Sequence, residues 1–207
     1  MSVVVGVQHG GVVYVGADSQ ATSGGGDKYV RLNRKVFSSC GYIIGVVGSS
    51  RVTQILKAAN NLPQLPAYLK TADENEAENE GLISDMEDFF VSEFIPAVRT
   101  LCDDAGIQIS RSNDESTDSD NSDILVAIGP WMVVIEPDWQ VGIYADKYIA
   151  IGSGQLTALG SLATTGNMSP QKRVHLALQA SAKHSNTVCP PFYILSTSGG
   201  TEKQLPK

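Results

Sequence analysis

Two side chains near the start of the chain have chemistry to offer. Ser2 follows Met1 and opens a run of valines, and Asp18 closes the second such run. The small Ser2 side chain permits removal of Met1, which would leave a hydroxyl and a free α-amine on one residue. An α-amino group has an ordinary pKa of about 8, so it can take a proton near neutral pH. A hydroxyl activated by its own amine is an N-terminal nucleophile. The competing reading is an ordinary serine at a frayed chain start. Asp18 poses a separate demand, because an unpaired carboxylate at the end of a buried strand is costly.

The elements that must position these residues are two apolar runs, Val3–Val7 and Val12–Ala17, flanking Gln8-His9-Gly10-Gly11. A Gly-Gly step between strand-like runs predicts a hairpin. The runs barely alternate between apolar and polar, which predicts strands buried on both faces.

The run Gly16-Ala17-Asp18-Ser19-Gln20-Ala21-Thr22 resembles the aspartate signature of proteasome β-subunits and of the proteasome-like peptidase HslV. Ser2 then stands where that family has its N-terminal catalytic threonine. The resemblance extends, with gaps, from Ser2 to about Ile194, and several motifs occur in the family's order. Arg34-Lys35-Val36-Phe37 resembles the step that carries the catalytic lysine, which implies Lys35, after a one-residue insertion that leaves Arg34 as a competitor. A lysine there would lower the proton affinity of the amine, and Asp18 would orient it.

Cys40 to Ser50 resembles the family's strand, Gly-x-x-Gly turn and first helix. The resemblance implies that the Gly45 N–H is the oxyanion donor, with Gly48 a weaker candidate. It also implies that Ala21, Ile43 and Val47 line an apolar side-chain pocket. Gly152-Ser153-Gly154 lacks the third glycine of a dinucleotide loop, Thr157 standing in its place, and resembles the motif whose serine lies beside the catalytic amine. That implies Ser153. Family members then carry Asp-x-x-Ser-Gly, but here the chain reads His184-Ser185-Asn186-Thr187-Val188. The aspartate is missing. His184 holds roughly its place, and Thr187 is a candidate for the serine.

Elsewhere the pattern predicts a helix from Ser50 to about Leu62, stopped by Pro63, and another from about Leu82 to Ala105 with Pro96 as a kink. A strand meander is expected over Ile124–Gly129, Trp131–Glu136 and Gln140–Tyr144, turning at Pro137-Asp138. Helices from Gln155 to Leu162 and from Ser169-Pro170 to about Lys183 precede a last strand, Phe192–Leu195, and a polar tail from 196 to 207. Acidic stretches, about 71–80 and 110–123, read as solvated loops. A carboxylate metal site in them would be speculative.

The 207 residues suit a single domain, with 42% hydrophobic and 18% charged residues. A net charge of −7 argues against nucleic-acid and anionic-membrane partners. Cys40, Cys102 and Cys189 are odd in number, form no metal-ligand pair, and suggest reduced thiols in a cytoplasmic setting. No apolar run approaches a membrane span.

The expected fold is α+β, a four-layer αββα sandwich of the N-terminal-nucleophile hydrolases, built from mainly antiparallel sheets. By resemblance the chain is a threonine-type endopeptidase with serine as nucleophile, acting on protein or peptide substrates without cofactor or metal. Family members enclose the site in homo-oligomeric rings fed by a separate ATPase unfoldase. The faces Val52–Ala59 and Phe90–Val98 are expected partly at subunit contacts. A small-molecule amidase and a catalytically inactive ring homologue are the alternatives.

Overall fold

The computed structural model describes residues 2–23, 26–72, 79–107 and 122–199, together with the backbone of 203–205. The chain opens with the hairpin β1 (Val4–His9) and β2 (Val12–Ala17), His9 facing Val12 across the turn. Gly10 and Gly11 hold φ of 59° and 72°, the paired left-handed conformation that matches the twist of the flanking strands. Among the described residues, short strands β3 (Gln20–Thr22) and β4 (Lys28–Val30) pair only with each other. They are followed by β5 (Val36–Ser39), β6 (Tyr42–Val47), and helices α1 (Ser50–Ala58), α2 (Ala67–Lys70) and α3 (Glu80–Phe89). A π turn over Phe90–Phe94 joins α3 to α4 (Ile95–Asp104).

The second half contains β7 (Asp123–Ile128), β8 (Trp131–Ile135), β9 (Val141–Ile143), β10 (Tyr148–Ile151), α5 (Gln155–Thr164), α6 (Pro170–His184), β11 (Phe192–Ser196) and β12 (Lys203–Leu205). One sheet has the order β10-β1-β2-β11-β12 and the other β5-β6-β7-β8-β9. Every pairing is antiparallel.

Three apolar cores define four layers. Val3, Val5 and Val7 pack with Ala158, Leu162, Val174 and Leu178 of α5 and α6. Val4, Val13 and Val15 point the other way, onto Val36, Ile43, Leu125 and Val134 of the second sheet. On that sheet Ile44, Val46, Val126 and Val133 face outward onto Leu56, Phe90, Phe94 and Val98. The two-residue side-chain period of a strand therefore feeds two cores at once, which is why the valine runs show no polar face. The order is helices, sheet, sheet, helices, as expected.

Several expectations change in detail. The first helix ends at Ala58, and Ala59 is already extended at φ −63° and ψ 137°. Leu62 instead reaches the core from the following segment. The long second helix contains a π turn in which the Ile95 N–H bonds the Phe90 carbonyl. Pro96 lies one residue further on, and its ring would crowd the carbonyl of Ser92 in a regular helix. The wider turn takes up that crowding.

Ser169 sits at the N-cap of α6 but makes no side-chain capping bond. Residues 203–205 of the expected polar tail form an edge strand on β11. Val52, Leu56, Phe90, Phe94 and Val98, expected partly at subunit contacts, are buried in the chain's own core, because both helices must cover the second sheet. Most of the two acidic loops, including 73–78 and 108–121, and with them any carboxylate metal site there, lies outside the described residues. Among the described helices, none is long and apolar enough to cross a membrane.

The sheets come closest at Gly45. A Cβ placed there would lie 2.5 Å from Cγ1 of Val4 on the facing sheet. Gly45→Ala should therefore lower stability by roughly 1–3 kcal/mol through overpacking. Gly160, exposed on α5 with nothing near its missing Cβ, is the control. Gly160→Ala should raise stability by up to about 1 kcal/mol through helix propensity. Urea denaturation of both variants checks the pair.

Candidate active site

The end of β2 delivers Asp18 to the interior beneath the start of β1. Its side chain has no exposed surface and carries an ion pair with Lys35, Oδ1 to Nζ being 2.6 Å. The same oxygen accepts the Val3 N–H at 3.1 Å. The other oxygen accepts the N–H groups of Gln20 at 2.9 Å and Cys189 at 3.4 Å. A buried carboxylate with four donors on it is satisfied, and it ties four chain segments to one point.

Burial pushes the Lys35 amine below its ordinary pKa, with the Asp18 charge and hydrogen bond pulling the other way. Arg34 takes a different place. Its guanidinium lies over the Tyr193 ring, 4.6 Å from the centroid. Lys35, rather than its neighbour, reaches the aspartate.

Ser2 is buried, 5% exposed, and lines a cavity. Its N–H donates to Ser153 Oγ at 3.0 Å. Its carbonyl accepts the Ser153 hydroxyl at 3.2 Å and the Gly154 N–H at 3.3 Å. This grip needs glycine at 152, where φ is 93° and a Cβ would lie 2.5 Å from the Ser2 carbonyl oxygen. Ser153 Oγ lies 2.7 Å from Thr187 Oγ1, which lies 2.7 Å from Ser185 Oγ. A line of three hydroxyls therefore leads away from the Ser2 nitrogen. His184 is exposed at the end of α6 and is not brought to this line. Ser185, one residue on, closes it, a role the sequence reading did not assign.

Gly45 and Gly48 part company. The Val46 N–H crosses to the Lys35 carbonyl at 3.0 Å. N–H direction alternates along a strand, so the Gly45 N–H turns toward β7, where Gly45 faces Leu125. It is spent on the sheet, which removes the expected oxyanion donor. Gly48 lies beyond the last ladder pair, Val47 with Asp123, and lines the cavity beside Ser2. Its φ of 110° suits glycine and frees the turn from the ladder.

The expected apolar pocket also changes. Ala21 lines the cavity, but Ile43 and Val47 are buried between the sheets. Odd-numbered residues of β6 face the other sheet, a consequence of strand register. Polar and basic residues take their place, among them Arg31, Arg34 and Lys57.

No protein-family model and no curated protein matches the chain. Solved structures do. BPH of Thiobacillus denitrificans matches with a TM-score of 0.67 at 20% identity, covering 94% of this chain and 96% of that one. The same protein in complex with epoxomicin gives 0.63 at 18% identity, covering 94% and 97%. Eukaryotic HslV from Trypanosoma brucei gives 0.60 at 16% identity, covering 94% and 98%. The likeness is one of fold: the chain shares its four-layer architecture with BPH and with HslV.

The Asp18–Lys35 pair can be measured. Asp18→Asn leaves a buried ammonium uncompensated and Lys35→Met leaves a buried carboxylate, each costing about 3–5 kcal/mol. The double variant should cost less than the sum by at least about 1 kcal/mol. Additive losses in denaturant unfolding would show that the two charges do not depend on each other.

Proposed function

We propose that this chain is a peptidase of the proteasome and HslV type, with Ser2 as an N-terminal nucleophile once Met1 is removed. One observation carries the reading. Ser2 lines a cavity, its nitrogen rests on Ser153, and the next residue's N–H rests on an aspartate paired with Lys35. That arrangement links a hydroxyl, a serine that holds its nitrogen and, through Val3, a compensated cation, and the shared fold with HslV supports the same assignment.

In the proposed reaction the Ser2 amine, directly or through a water or the Ser153 hydroxyl, takes the Ser2 Oγ proton. Oγ attacks the peptide carbonyl, and the carbonyl oxygen gathers negative charge toward the Gly48 N–H. The C–N bond then breaks as the proton passes to the leaving amine, leaving an ester on Ser2. Water adds to the ester and gives a proton to the amine, which returns it to Ser2 Oγ as the C–O bond breaks and the acid leaves. The Lys35 charge keeps the amine unprotonated at neutral pH, and Asp18 fixes Lys35.

Protein substrates, a cytoplasmic setting, a homo-oligomeric ring and a separate ATPase unfoldase complete the proposal. A monomer in sedimentation at micromolar concentration would favour the small-molecule amidase instead. The absence of the family's aspartate, with His184 in roughly its place and exposed, is what favours an inactive homologue, and activity separates that reading.

Native protein should have the mass of the chain without Met1, and a serine-reactive electrophile should add once, at Ser2. Ser2→Ala should still lose Met1 and hydrolyse nothing, while Ser2→Thr stays active. If protein retaining Met1 cleaved peptides as fast as the processed form, the mechanism would be wrong.

Lys35→Ala should reduce kcat/KM by orders of magnitude, since losing a central charge costs on the order of several kcal/mol. The pH profile of kcat/KM should rise through an amine pKa of about 8 or lower. It should fall again below pH 10.5, because burial lowers the Lys35 pKa from that value and the ammonium is lost as pH rises. A profile flat through both regions counts against Ser2 and Lys35 alike.

A further inference from the structure

Resting on the peptidase reading, we infer that the cavity beside Ser2 selects an acidic side chain, Glu or Asp, on the residue whose carbonyl Ser2 attacks. Among the described residues, the charged ones that line the cavity are Arg31, Arg34, Lys35 and Lys57, with no Asp or Glu beside them in the lining. Lys35 is compensated by Asp18 at 2.6 Å. Arg34 lies on the Tyr193 ring. Arg31 is anchored by a 2.7 Å bond from Nη1 to Ser50 Oγ, which leaves the rest of its guanidinium fork pointing from a fixed base. Lys57 comes from the last turn of α1 on the same cavity.

The remaining lining is mostly neutral and polar, and includes Gln20, Asn33, Thr53 and Gln54. An apolar side chain entering here would strip water from cations and amides and return nothing. A basic one would meet like charge. A carboxylate meets guanidinium and ammonium donors, the strongest partners available to it. The chain as a whole carries −7, so the basic cavity runs against the average charge of the molecule. Over distances longer than about 8 Å that average is screened at physiological salt, and the local cations decide what enters.

Ser2 and Gly48 line this same cavity. A carbonyl placed between them therefore brings its own residue's side chain toward Arg31 and Lys57. The carboxylate could instead be a polypeptide's C-terminal end, on the leaving side of the bond. Substrates blocked at the C-terminus separate the two.

The experiment compares N-blocked tripeptide aminocoumarins ending in Glu, Gln, Leu or Lys, with wild-type chain and with Arg31→Gln/Lys57→Gln. Both positions are exposed, so the double variant should fold as the parent does. Glu should exceed Gln in kcat/KM by about tenfold at low salt, with the margin shrinking as salt rises. In the double variant the Glu to Gln ratio should fall to within about twofold of one. Equal cleavage of Glu and Gln, preference for Leu, or a ratio unchanged in the double variant overturns the inference and leaves the peptidase reading standing. Cleavage only of peptides with a free terminal carboxylate assigns the cavity to chain ends and overturns it as well.

A binding arm uses Ser2→Ala protein and fluorescein-labelled tripeptide amides ending in Glu or Gln, read by polarisation. Tighter binding of Glu, lost with Arg31→Gln/Lys57→Gln, supports the cavity even if no peptide is cleaved, in which case hydrolysis alone fails. Absence of both binding preference and cleavage overturns both.

Discussion

A carboxylate with no exposed surface must find partners or give up its charge, and at Asp18 the surrounding structure is arranged to meet that demand. Its two oxygens collect the Lys35 ammonium and the N–H groups of Val3, Gln20 and Cys189. Those donors come from the start of β1, the step between β2 and β3, the residue before β5, and the segment leading to β11. Four parts of the chain that sequence separates are thus fixed on one side chain. Ser2 is the immediate neighbour of one of them, so the electrostatic centre and the positioning of the candidate nucleophile are one construction. Removing the charge would loosen both.

The same economy holds for the sheets. Val3 and Val4 point into different cores, one beneath α5 and α6 and one between the sheets. The strand that carries Ser2 cannot shift by a residue without moving valines from one core to the other. Its register is therefore tightly specified, and that rigidity holds Val3, the neighbour of Ser2, on Asp18. Gly45 lets β6 approach the Val4 side chain. Beyond β6, Gly48 leaves the ladder and turns to the cavity. The glycine that looked like a donor serves packing, and the one three residues on lines the cavity beside Ser2.

Much of this was legible in the sequence. Unbroken valine runs around Gly10-Gly11 imply a central hairpin, and Asp18 at the end of the second run implies a partner. The resemblance to the proteasome family pointed to Lys35 and Ser153, which the structure brings beside Asp18 and Ser2. What was not legible depends on direction. Strand parity turns Ile43 and Val47 away from the cavity, and no pattern of apolar residues in a doubly buried strand distinguishes its faces. Arg31 and Lys57 lie far apart in sequence and share a cavity only because α1 folds back beside the β4–β5 connection. The resemblance puts His184 where the family has its aspartate, yet helix α6 ends with the histidine in solvent, and it is the next residue, Ser185, that meets Thr187.

The hydroxyl line has a physical property that a carboxylate in the same place would lack. Between Ser153 and Thr187, and between Thr187 and Ser185, either oxygen can be the donor. Each hydroxyl has one proton to give and lone pairs to accept, so the line can run in either sense, the Ser153 proton turning from the Ser2 carbonyl to Thr187 in one of them. A carboxylate accepts only, and would fix the direction by holding every neighbouring proton toward itself. In the proposed reaction the amine must first take a proton from Ser2 and then return one to the leaving group, and the sequence repeats with water. A neutral line that reverses without desolvating a charge meets both halves of that cycle. A line that ends on the neutral Ser185 is therefore compatible with the proposed chemistry at Ser2, at the cost of the stronger orientation that a fixed charge would give the amine.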